Sequence, residues 1–171
     1  DLALQHALET LREAHQRWVF ETLDTGLIPE ADLTRRAIQA GSRYQILHEN
    51  EATSRRLLAR LMEVNRLARH PVELEPMTTA FSDEDPAVRY WAVTGIGNLK
   101  QQSPDAMNVI SRALNDPIPC VRVAAARAAW QLGRADLAIP ILKEIAPSDK
   151  EFLSLLAIQV IDEMDDHSDD F

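Results

Sequence analysis

The chain has 171 residues, 46% hydrophobic and 26% charged, enough apolar material for one filled core or a short helical array and too much for a disordered chain. Its formal charge of −9 argues against nucleic acid, which needs a basic face. A single cysteine excludes an internal disulfide and a multi-thiolate zinc site, and no apolar run reaches the ~20 residues of a membrane helix.

Residues 2–22 read as one amphipathic helix, with Leu4, Ala7, Leu8, Leu11, His15, Trp18 and Val19 on one face. Its opening lacks the apolar core of a signal peptide, and the start at Asp1 rather than Met fits a fragment of a longer polypeptide. Asp24-Thr25-Gly26 is a stop signal, and residues 27–33 restart a short helix. Gly41-Ser42 breaks the chain again. A helix from about Glu51 to Ala68 turns Leu57, Leu58, Leu61, Met62 and Leu67 inward and closes at Pro71. Ten arginines balance ten acids over residues 1–70, so the group Arg35, Arg36, Arg55, Arg56 and Arg60 is interspersed with acidic residues. This segment, 1–70, shows no internal repeat.

From residue 71 the chain copies itself. DEDPAVRYWAVTGIGNL (83–99) aligns with DPIPCVRVAAARAAWQL (116–132) at an offset of 33, and KEFLSLLAIQVIDEM (150–164) is a weaker third copy at 32. Each copy carries apolar residues at i, i+3, i+4, i+7, i+8 and i+11, one stripe of a 3.6-residue helix. The first runs Val88, Trp91, Ala92, Gly95, Ile96, Leu99. The second runs Val121, Ala124, Ala125, Ala128, Ala129, Leu132, and the third Leu153, Leu156, Ala157, Val160, Ile161, Met164. Sparser stripes precede each one: Leu74, Met77, Phe81; Met107, Ile110, Leu114; Ala138, Ile141, Ile145. Asp85-Pro86 and Asp116-Pro117 mark the turns between helices. Helix pairs at this period stack, because no single pair buries its own apolar face. The expectation is an all-α fold, with repeats over 71–164 and an acidic tail over 165–171. Six acids fall in the last ten residues, without the spaced ligands and turn glycine of an EF-hand loop.

At Asp83…Val88-Arg89 and Asp116…Val121-Arg122 the sequence resembles the HEAT and HEAT-like repeat family, the short variety also found in phycobilin lyases. The resemblance implies a right-handed α-α superhelix, an armadillo-type solenoid, preceded here by non-repeat helices. It also implies that Asp83, Arg89, Asp116 and Arg122 form a structural ladder between adjacent repeats. Ser154 stands where the third Arg should be, so the ladder is expected to end there, with the third copy as a cap.

The stretch LREAHQRWVFETLDTGLIPEADL (11–33) is similar to the end of the catalytic domain in bacterial sulfatases. The matching residues are Trp18, Glu21, Thr22, Asp24, Gly26, Leu27, Ile28, Pro29 and Glu30. Some members of that family carry HEAT-like repeats next, with a motif matching Asp85 to Ala92. The resemblance implies a parent hydrolase of sulfate esters, using calcium, in the periplasm or secreted.

The family's chemistry is not expected within this chain. Cys120 is followed by Val-Arg-Val-Ala, which breaks the C/S-x-P-S-R nucleophile pattern, and it reads as a structural residue. The five histidines form no HExxH, and there is no Gly-rich phosphate loop or Gly-x-Ser-x-Gly elbow. No catalytic, cofactor-binding or metal residue is assigned. Trp91, on the stripe, is expected to pack between repeats. Tyr90 and Trp130, off the stripe, and Trp18 are candidate contacts for a protein partner, either the chain's own catalytic domain or another subunit. The reading is a non-catalytic interaction or bracing module of a sulfatase-like hydrolase, with a free-standing HEAT-type scaffold as the alternative. The bracing reading requires an exposed apolar patch on residues 1–45. An enzyme of the lyase or HEAT-fold DNA glycosylase kind lacks a recognisable bilin-sized cleft or a basic surface.

Overall fold

A computed structural model describes residues 2–166, with side chains from Leu4 onward. Its ten helices are α1 (Leu2–Thr22), α2 (Glu30–Ala40), α3 (Gln45–His48), α4 (Glu51–Arg69), α5 (Glu75–Ala80), α6 (Pro86–Asn98), α7 (Pro104–Ala113), α8 (Pro119–Gln131), α9 (Ala135–Ile145) and α10 (Glu151–Asp166). There is no strand among the described residues, and the molecule is an α-helical repeat solenoid.

Local chemistry sets the helix boundaries. Proline opens α6, α7 and α8 at positions whose N–H would have no partner in the helix. Asp85 caps α6 by accepting from Ala87 N at 2.9 Å, Ser103 caps α7 through Ala106 N at 3.1 Å, and Asn50 caps α4 through Thr53 N at 3.1 Å. After α8, Gly133 takes φ 78°, and Arg134 N reaches back to Ala129 O at 2.8 Å, closing the helix in a Schellman turn. One repeat earlier Lys100 holds the equivalent left-handed position, φ 51°.

The second helices of the pairs, α6, α8 and α10, run through the centre of the stack. Val88, Ala92, Ile96, Val121, Ala125, Ala129, Leu153, Ala157 and Val160 are buried. Close approach depends on small residues. A Cβ at Gly95 would meet Ala68 Cα of α4 at 3.0 Å, and one at Gly97 would meet Ala128 Cα of α8 at 2.9 Å.

The helices before residue 71 share this core. Leu57, Leu58, Leu61, Val64 and Ala68 of α4 are buried, and Asn98 Nδ2 donates to Ala68 O at 2.8 Å, so α4 lies against α6 much as α6 lies against α8. The lack of a 33-residue register hid this role. Packing against a neighbour needs an apolar face, and it tolerates a changed loop length. The apolar stripe of α1, by contrast, stands open. Of its predicted stripe only Val19 is buried, while Leu4, Leu8, Leu11, His15 and Trp18 are exposed. Of the acidic tail, Asp165 and Asp166 end α10; residues 167–171 lie outside the described residues.

Candidate interaction surface

The inter-repeat ladder holds successive helix pairs together. Arg89 of α6 donates Nε and Nη2 to both oxygens of Asp116, at 2.7 and 3.1 Å, and Nη1 to the carbonyls of Asp83 and Glu84 at 3.0 and 2.9 Å. One guanidinium thus ties two successive turns, and its hydrogen bonds to Asp116 hold its pKa above the ordinary arginine value. Asp83 is met by Arg60 of α4 at 3.3 Å. Arg122 donates to Glu144 at 2.6 Å and to Leu114 O at 3.2 Å. In the third copy the Ser154 hydroxyl donates to Ala146 O at 2.5 Å, eight residues back like the Arg122–Leu114 bond.

A second charged cluster binds the N-terminal segment to the repeats. Asp32 of α2 is 1% exposed. Its Oδ1 accepts from Arg35 Nε at 2.8 Å and its Oδ2 from Arg36 Nε at 2.7 Å. The other two Arg36 nitrogens fork onto Asp85, the cap of α6, at 2.9 and 2.6 Å. Burial works against the Arg36 charge, but the hydrogen bonds and charges of Asp85 and Asp32 outweigh it and raise the guanidinium pKa. From there α2 runs on to the last repeat, where Arg43, just beyond it, stacks over the Phe152 ring at 5.6 Å. The spacing of Asp32, Arg35 and Arg36 is a legible i, i+3, i+4 triad; the partner at Asp85, 49 residues on, leaves no sequence signal.

The aromatic candidates separate. Trp91 is half-buried, and its indole N–H donates to Leu27 O at 2.7 Å. It therefore packs against the core and also holds the loop before α2 through its polar ring edge. Tyr90 meets Trp91 edge-on at 5.4 Å, is half-buried, and burial raises its hydroxyl pKa. Trp130 is half-buried against the core. Trp18 is exposed and stacks on His15 at 6.3 Å. Only Trp18 of the three stands on an open apolar face. Leu4 and Leu11 of that face are 70% and 67% exposed.

An apolar cleft of about 340 Å³ lies between α2 and the first turns of α8 and α10, lined by Ile38, Ile118, Pro119 and Phe152, with Cys120 at its buried floor. Its volume is at the lower end of the range for small-molecule sites, and the lining pair Asp32 and Arg35 is already engaged with itself. Burial pushes the Cys120 thiol up to about 12. In the native chain Cys120 will therefore resist a thiol reagent at pH 8 and react only on addition of denaturant; rapid stoichiometric labelling of the folded chain would contradict this. Among the described residues no group of three or more His, Cys, Asp or Glu is placed to hold a metal ion, and no helix is long and apolar enough to cross a membrane.

Neither curated proteins nor solved structures give a match to the chain. The family model for HEAT repeats matches residues 74–162, the segment where the ladder and the small-residue contacts stack one helix pair on the next. This is just over half of the sequence, and the chain belongs to the HEAT repeat family.

Proposed function

We propose that the chain is a non-catalytic helical-repeat module that braces a protein partner, docking through α1. The observation that carries this is the state of α1. From Leu4 to Trp18 every side chain of α1 is exposed, and Leu4, Leu8, Leu11, His15 and Trp18 repeat at spacings of four and three, the seam of a helix that pairs with another helix. A helix of that length without tertiary support is marginal in water. A partner that covers the seam supplies what the chain lacks.

The finer reading makes that partner the catalytic domain of a sulfatase-like parent. It is supported by the similarity of residues 11–33 to the end of bacterial sulfatase domains, and by the exposed apolar patch that bracing requires within residues 1–45. A free-standing HEAT-type scaffold is supported by a different observation: α4 already covers α6, and α2 reaches α10, so the array is braced by its own N-terminal helices. A C-x-P-S-R motif, or its serine form, encoded upstream of Asp1 separates the two, and without it the hydrolase reading falls. Amide exchange tests the docking itself. In the 171-residue chain, amides of residues 5–15 will exchange far faster than those of α6. Protection of α1 equal to that of α6 in the isolated chain would remove the need for a partner and sink the proposal.

A further inference from the structure

The repeat register identifies a second docking face. Aligning the three copies puts Leu155 of α10 at the position of Val123 and Tyr90, Ile158 at that of Ala126 and Val93, and Asp162 at that of Trp130 and Gly97. In the earlier repeats this side of the helix is where the next repeat stacks. Val93, Val123 and Ala126 are buried, and a Cβ at Gly97 would strike Gln131 and Ala128 of the following helix. On α10 the same side is open: Leu155 is 46% exposed and Ile158 40%. The third copy, expected to act as a cap, keeps Leu155 and Ile158 apolar at two of these three positions and carries Asp162 at the third. It has added acids around them. Glu151, Asp162 and Asp166 are exposed, and α10 contains no Lys, Arg or His.

We infer that this open end of the array binds a basic amphipathic helix of a protein partner, laid along α10 as the second helix of a further repeat would be. Two observations choose the occupant. The face continues the established repeat–repeat interface, which is helix on helix. Its rim carries Glu151, Asp162 and Asp166 against one cation, Lys150, at its N-terminal edge, so a partner needs Lys or Arg flanking a short apolar stripe. A second copy fits badly, since antiparallel pairing of Leu155 with Ile158 brings Glu151 against Asp162 of the other copy. This inference rests on the reading of the chain as an interaction scaffold, but it uses a different helix from α1.

The test is fluorescence anisotropy with the whole chain and a labelled synthetic helix of about 18 residues, long enough to form in isolation, with a leucine stripe and lysine flanks. A twin with glutamate flanks is the control. The lysine peptide should bind saturably and lose affinity as salt is raised. Leu155→Ser with Ile158→Ser should weaken it about tenfold or more, the effect of leaving two aliphatic side chains uncovered. Glu151→Gln with Asp162→Asn should weaken it and flatten the salt dependence, while Glu73→Gln, an exposed acid outside both docking faces, should change nothing. No binding, equal binding of the glutamate twin, or indifference to the Leu155 and Ile158 substitutions overturns the inference and leaves the α1 reading untouched. Loss with Leu8→Ser and Leu11→Ser on α1, but not with the α10 substitutions, overturns it in favour of α1. Self-association that disappears with the Leu155 and Ile158 substitutions also overturns it, assigning the face to a second copy.

Discussion

Arg36→Met lowers the unfolding free energy by about 3 kcal/mol, the range for breaking a buried ion pair from one side. The reason is geometric. Asp32 keeps Arg35 on Oδ1, but its Oδ2 loses its partner while the carboxylate stays buried, and an unpartnered oxygen in that position bears the full desolvation cost. Asp85 loses both of its bonds to Arg36 at once. It keeps only the cap to Ala87 N. Urea denaturation followed by circular dichroism reads the loss as a lower midpoint at unchanged slope. Amide exchange reads its location, since α2 should lose protection before α8. The double substitution Asp32→Leu with Arg36→Met should recover part of the loss, because the most buried carboxylate is then gone, while Asp85 still lacks its guanidinium and Arg35 its carboxylate. Arg36→Met within about 0.5 kcal/mol of the parent chain, the range of an ordinary surface change, would mean that the clamp does not hold α2 in place.

The second large effect is at Gly97, where the expected sign opposes helix propensity. In an exposed helix Gly→Ala stabilises by about 1 kcal/mol. At Gly97 the new methyl would sit 2.9 Å from Ala128 Cα and 3.0 Å from Ala128 Cβ, and would also strike the Gln131 carboxamide. Gln131 can swing away, whereas the α8 backbone cannot. The helices must therefore separate along the largest contact in the array, and overpacking of this kind costs about 1–3 kcal/mol. Gly97→Ala should destabilise on balance, and Gly97→Val by several times as much, with broadened unfolding as the two ends of the array decouple. Thermal unfolding by calorimetry decides it. A raised midpoint for Gly97→Ala would show that α6 and α8 are not as close as described.

Both effects sit on contacts between elements, and that is where the sequence stops being informative. Position 97 is an unremarkable small residue in a helical stripe until α8 is placed beside it. Arg36 looks like one more basic residue in a mixed patch until α2 is laid over the cap of α6. The ladder was more legible. Aspartate and arginine recur at one repeat spacing, so the residue types and turns that carry it were readable before any packing was known. Arg89–Asp116 is a rung between adjacent repeats of the kind the family resemblance implied, whereas the partners of Asp83, met from α4, and of Arg122, on Glu144, were not legible.

The sequence by itself determined the helices and their grouping into stacked pairs. The i, i+3, i+4 pattern, the Asp-Pro turns and the offset of 33 are local properties of the chain, and a stripe that one pair cannot bury alone requires a neighbour. Only the tertiary structure decided what covers each stripe. It placed α4 inside the array, turned Trp91 onto Leu27, and left the seam of α1 and the outer side of α10 in solvent. The physical reason is that periodicity measures how much apolar surface a helix presents and in which direction. Whether that surface is met by this chain or by another depends on loop lengths and on charged contacts between residues far apart in sequence.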